Sequence, residues 1–236
     1  MSDTKEKILQ TALRLFARDG YEAVSVSDIA GELGITKGAL YKHYANKRSI
    51  FNSIVERMYQ IDAERSRRYA VPQEKYCDAP GVYDTVSVEA VRSFTMAQFL
   101  FWTEDEFAAN FRKMLTLEQY RSEEMAQLHS QCLTAGPLAY MEDIFRDMMG
   151  RGILKNSDPQ TLSVEFYAPM YLLMGLPNDK KNAKLLEAHI ERFIRRNTNC
   201  KECLRIPFPT INNCRASAVF ASKATNRPEK KKELLP

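Results

Sequence analysis

Val24–Phe51, VSVSDIAGELGITKGALYKHYANKRSIF, is the stretch that decides the fold. Ser25 is a good helix N-cap, and Asp28 three residues later completes a capping-box pattern. Ile29, Ala30 and Leu33 follow as a short apolar stripe at helical spacing. Gly34 stands where a helix end wants a left-handed residue, and Ile35 is expected to plug the turn into the core. Thr36 caps a second short helix, Lys37–Tyr44. Asn46 caps a longer one that starts at Lys47 and should run to about Arg65. Two short helices, a tight turn and a long helix read as a helix-turn-helix.

The middle helix is too short to be stable alone. Leu40 and Tyr44, four apart, look inward from it, which leaves its other positions free to face a partner. Thr36, Lys37, Gly38, Tyr41, Lys42 and His43 offer cations, hydroxyls and a backbone that admits close approach. From Thr36 to Arg48 there are four Lys or Arg residues and no acid. A positive field beside a helix N-terminus favours phosphate, so double-stranded DNA is the expected partner. Upstream, Ile8, Leu9, Ala12, Leu15 and Phe16 make one apolar face on a helix that Gly20 ends. That helix should back the motif.

These residues resemble the N-terminal domain of the TetR family of bacterial transcriptional repressors. The likeness runs from about Thr4 to Phe51 and includes ILQTALRLFARDGY, from Ile8 to Tyr21, then the stretch quoted above. Ile29-Ala30, Gly34, Leu40-Tyr41, Tyr44 and Lys47 sit at the family's spacings. The resemblance implies that the third helix enters the major groove with Thr36, Lys37 and Gly38 toward the bases. By the same resemblance Tyr41, His43 and Lys47 would hold the DNA backbone, and Ser25 and Ser27 would meet a phosphate. It further implies an all-α homodimer on a near-palindromic operator, with a second domain whose small-molecule effector releases the DNA.

The 236 residues carry a net charge of only +4, so the chain as a whole is no basic nucleic-acid coat. Residues 1–60 and 201–236 are net positive, and the middle is mildly acidic. No apolar run approaches the roughly 20 residues that span a bilayer. MSDTKEKI at the start lacks a signal-peptide apolar region. A cytoplasmic location away from membranes is therefore expected, and the five cysteines are expected to be reduced thiols. No Walker loop, GxGxxG, HExxH or nucleophile elbow is present, and three histidines leave little for acid–base work. An enzyme is not expected, nor any cofactor or bound metal.

Beyond the reading head the chain patterns as helices at about 47–68, 86–102, 104–118, 122–150, 158–176 and 180–198, with no period-two strand. The division expected is a DNA-binding domain at 1–46, a helical effector-binding and dimerisation domain at 47–198, and an irregular basic tail at 199–236. Aromatic and methionine residues are dense from Phe94 to Met174. Most should be core, yet soft Met and large rings with polar tips also suit a cavity for a largely apolar ligand. Gln98, Trp102, Tyr120, His129, Gln131 and Tyr140 are the pocket residues expected. Phe166, Met170 and Leu173 on one late helix, with Leu186, Ile190, Phe193 and Ile194 on the next, form an apolar seam suited to a two-fold four-helix interface. The tail holds Cys200-x-x-Cys203 and Cys214, one ligand short of a closed zinc site. Two alternatives stay open: a DNA-binding regulator without an effector, and a thiol- or metal-responsive repressor using Cys200 and Cys203.

Overall fold

A computed structural model describes residues 3–69, 71, 72, 78, 80–177 and 180–199. Cys200, Cys203, Cys214 and the rest of the tail lie outside the described residues. The chain forms ten α-helices there: α1 Asp3–Asp19, α2 Val26–Glu32, α3 Lys37–Tyr41, α4 Lys47–Arg68, α5 Val88–Glu104, α6 Glu106–Glu118, α7 Glu123–Leu133, α8 Ala135–Gly150, α9 Pro159–Gly175 and α10 Lys180–Asn197. A 3₁₀ turn, Pro80–Thr85, precedes α5. Among the described residues there is no strand beyond one isolated bridge, Leu154 with Thr198.

The caps are where the residue types place them. Ser25 and Asp28 exchange a reciprocal capping box at α2. Thr36 accepts from the Ala39 N–H at α3, and Asn46 with Ser49 makes a second capping box at α4. Gly34 takes φ +64°, which lets the chain turn from α2 into α3. Ile8, Leu9, Ala12, Leu13, Leu15 and Phe16 of α1 are buried, and α1 packs on α2, α4 and α6.

Three expectations change in the structure. The helix expected at Lys37–Tyr44 ends at Tyr41. The Leu40 carbonyl accepts both the His43 and Tyr44 N–H groups, and this tightened turn carries the Tyr44 ring into the core, 4% exposed. The helix expected at 122–150 is two helices that meet at Thr134, whose φ −132° and ψ −88° break the ladder. Gly136 is needed just after that joint: a Cβ there would stand 1.9 Å from the Gln131 carbonyl oxygen. Pro137 follows in the first turn of α8, where its missing N–H costs nothing.

The third correction concerns the seam. Phe166, Met170, Leu173, Leu186, Ile190, Phe193 and Ile194 are none of them more than 8% exposed within the single chain. They face inward because α5 and α8 pack over α9 and α10. The rings of Phe145, Phe166 and Phe193 cluster there at 4.8–5.5 Å. The strongest apolar stripe of each helix has gone to the subunit's own core. What α9 and α10 leave outside is a second apolar face: Val164, Tyr171, Leu172, Leu176 and Leu185, with Leu172 64% exposed.

Candidate nucleic-acid interface and effector cavity

α3 is held by one buried side chain, Leu40, and by the Thr36 cap. Thr36, Lys37, Gly38, Tyr41 and Lys42 are exposed, and Tyr41 is half exposed despite its size. His43 and Ser27 are half-buried beside them, and Ser25 is exposed at the start of α2. α2 and α3 pack against each other, and among the described residues none of Lys37, Lys42 or His43 makes an ion pair that would neutralise it. The N-cap hydrogen bonds from Ser25 hold the Asp28 carboxyl below the usual range, so the α2 N-terminus keeps its capping anion.

Lys47 is placed differently from its neighbours. Its ammonium donates to the Tyr21 carbonyl at 2.8 Å and the Glu22 carbonyl at 3.3 Å, and lies 4.3 Å from the centre of the Tyr21 ring. It ties the start of α4 to the link between α1 and α2. This anchoring role was not legible from the motif, because it depends on where the α1 terminus folds.

The cavity lies farther along α4. It measures about 420 Å³ and is walled by α4, α5, α7, α8 and α9, within the size range of small-molecule sites. Of the pocket residues expected from sequence, Gln98, Trp102, Gln131 and Tyr140 line it. Tyr120 and His129 do not. Tyr120, in the α6–α7 turn, is 91% exposed. His129 is buried on a face of α7 turned from the cavity, where burial lowers its pKa and its Nε2 finds no hydrogen-bond partner. Both errors have one cause: residue type was legible, but the rotation of α7 and the length of its preceding turn were not.

Sequence reading missed the contribution of α4: Met58, Tyr59, Asp62, Ala63 and Ser66 line the cavity. Their spacing of three to four residues was the signal. Polar bonds fix the wall. Tyr140 donates to the Pro72 carbonyl at 3.0 Å, Tyr167 to the Leu133 carbonyl at 3.0 Å and Tyr59 to Gln131 Oε1 at 3.3 Å. Burial raises both the Tyr140 and Tyr167 pKa values, and pushes the Cys132 thiol up to about 12, so Cys132 sits in the wall as an inert apolar group. Among the described residues no group of three His, Cys, Asp or Glu could hold a metal.

Head and cavity are braced against each other. Buried Glu118 at the end of α6 accepts the Tyr21 N–H at 2.9 Å. Gly20, at φ +90°, passes so close that a Cβ would stand 2.7 Å from Glu118 Oε1. Arg48 of α4 pairs with Glu124 of α7, and Arg57 of α4 with Glu6 of α1.

Comparison with known proteins agrees with this geometry. The family model for bacterial regulatory proteins of the tetR family matches residues 8–54. The N-terminal domain belongs to the TetR family. Over 56 residues it is 43% identical to YerO of Bacillus subtilis (strain 168), an uncharacterised HTH-type transcriptional regulator; the match covers 24% of this chain and 19% of YerO. The chain spans only about a fifth to a quarter of the length of the first curated relatives it matches. Solved structures extend the likeness in fold beyond the TetR-type domain. SmeT, the repressor of the Stenotrophomonas maltophilia multidrug efflux pump SmeDEF, solved with triclosan, superposes with a TM-score of 0.59 at 20% identity, covering 87% of this chain and 99% of that one. A transcriptional regulator from Saccharomonospora viridis, solved with choline, superposes at 0.56 and 18% identity, over 85% and 100%. No helix among the described residues is long and apolar enough to cross a membrane.

Proposed function

We propose that the protein is a homodimeric DNA-binding transcriptional repressor, released from its operator by a small molecule in the α4–α9 cavity. The observation that carries the reading is the course of α4. Its N-terminus, capped by Asn46, carries Arg48 and Lys47 beside α3, and about three turns later the same rod forms a wall of the cavity. A ligand that moves Tyr59 or Asp62 therefore moves the support of the reading head.

In this reading a dimer sets two α3 helices in successive major grooves, about 34–36 Å apart. Thr36, Lys37 and Gly38 face bases, and Tyr41, Lys42, His43, Ser25 and Ser27 hold the backbone. The subunits meet through the outer apolar face of α9 and α10, Val164, Tyr171, Leu172, Leu176 and Leu185, in place of the buried seam. The effector prefers the subunit spacing that misaligns the two heads, and by linkage the operator complex binds effector less tightly. Fluorescence anisotropy with DNA flanking the protein's own gene tests the scheme. Saturable binding that strengthens at low salt and weakens when the cavity is occupied supports it. Equal effector affinity for the free dimer and the operator complex refutes it.

A further inference from the structure

Among the described residues that line the cavity, Asp62 is the one that carries charge. The residue is exposed, its surface bordering the cavity, and desolvation by the surrounding wall raises its carboxyl pKa. Around it the wall is dominated by rings and thioethers: Tyr59, Phe94, Trp102 and Tyr140 among the rings, Met58 and Met170 among the thioethers. A carboxylate beside such a wall attracts a cation that can reach both it and the ring faces.

The compensation present is small. Gln98 Nε2 donates to Asp62 Oδ1 at 3.2 Å. Gln98 cannot turn its amide over, because Arg65 Nε donates to Gln98 Oε1 at 3.1 Å and fixes which end faces Asp62. Arg65 itself lies beyond Gln98. Its guanidinium donates to the Ala97 carbonyl at 2.7 Å and stacks 4.2 Å from the Phe101 ring centre. Among the described residues no cation comes within ion-pair distance of Asp62. The Arg65–Gln98 pair holds the carboxylate in place and leaves its charge directed at the cavity.

We propose that the cavity takes a hydrophobic organic cation, an amine or quaternary onium compound bearing aromatic groups, with Asp62 as its counter-charge. The inference rests on the cavity being the effector site proposed above, and adds its ligand class. A delocalised or alkylated cation loses little hydration on entering, gains attraction from the ring faces, and supplies the charge Asp62 lacks. An anion meets the same rings but is repelled by the carboxylate.

Tetraphenylphosphonium and tetraphenylborate are matched in shape and opposite in charge, and Trp102, the chain's one tryptophan, reports binding from the wall. Titration of the full chain should show the phosphonium bound at least tenfold more tightly than the borate. Asp62→Asn should erase most of that gap, and Asp62→Glu should keep it. Equal affinity of the two ions for the unaltered protein overturns the proposal and needs no variant to fold. An undiminished gap in Asp62→Asn overturns it as well. Operator release is scored separately by anisotropy. Phosphonium that fills the cavity without loosening DNA sinks the effector reading and leaves the ligand class standing. An uncharged compound that releases DNA while the two ions bind alike does the reverse.

Discussion

The reading head and the cavity stand on the same helix but are built on opposite terms. α3 has one buried side chain and turns its polar groups outward, where water satisfies them until a partner arrives. The cavity borders its acid, Asp62, with rings and holds it through a fixed amide. Groups in the head therefore contribute little to folding and are free to be spent on binding. Groups in the cavity wall also hold the bundle together, so changing them touches stability and ligand at once. Lys47 is the exception on the head side, since it anchors the α1–α2 link through two carbonyls.

The contrast is tested most severely by taking away the head's second copy. Leu172→Glu, on the exposed face of α9, should leave the fold intact and yield monomer in sedimentation. Operator affinity should then fall by about 10²–10⁴-fold, the avidity of two linked sites. Unchanged sedimentation would place the dimer face elsewhere.

A smaller effect is expected at α3. Lys37→Ala should cost about 1–3 kcal/mol of discrimination at one base position. It should change denaturant stability by less than about 0.5 kcal/mol, as an exposed substitution does. A large loss of stability would mean that the head is structural after all.

Lys47→Ala should blur the boundary between the two kinds of site. Loss of its hydrogen bonds and its ring contact should lower stability by about 1 kcal/mol. If it also meets a phosphate, the salt slope of DNA binding should flatten by about one. Parallel urea melts and salt titrations separate the two roles.

The smallest effect is a slope. Burial raises the Asp62 pKa, so between the ordinary carboxylate range and that raised value the folded protein binds more protons than the unfolded chain. Stability should then fall as pH rises through that window, and Asp62→Asn should remove this part of the decline. Urea midpoints of the two proteins across the acidic range would show it, and parallel curves would deny it.

The head was largely legible because its information is contiguous. Ser25 with Asp28, Gly34, Thr36 and Asn46 act within four residues of themselves, and each cap and turn formed where its chemistry requires. The joint at Thr134 left a trace in Gly136-Pro137, a dipeptide that punctuates chains, which the helical period around it obscured. The cavity draws on five helices, and no local pattern states how α7 is rotated. Tyr120 and His129 therefore had the right chemistry in the wrong places, while Asp62 looked like one more charge on a long solvent-washed helix.

Taken alone, the order of residues determined an all-helical chain, the caps and turns of its helix-turn-helix head, and the basic, acid-free run from Thr36 to Arg48. Those follow from interactions spanning a turn or two of backbone. Tertiary packing alone decided which stripe of α9 and α10 went inside, that Lys47 folds onto the α1 terminus, and that Asp62 faces an aromatic hollow. Each of those depends on which neighbour covers which face, and a helix with two apolar faces does not carry that choice in its own residues.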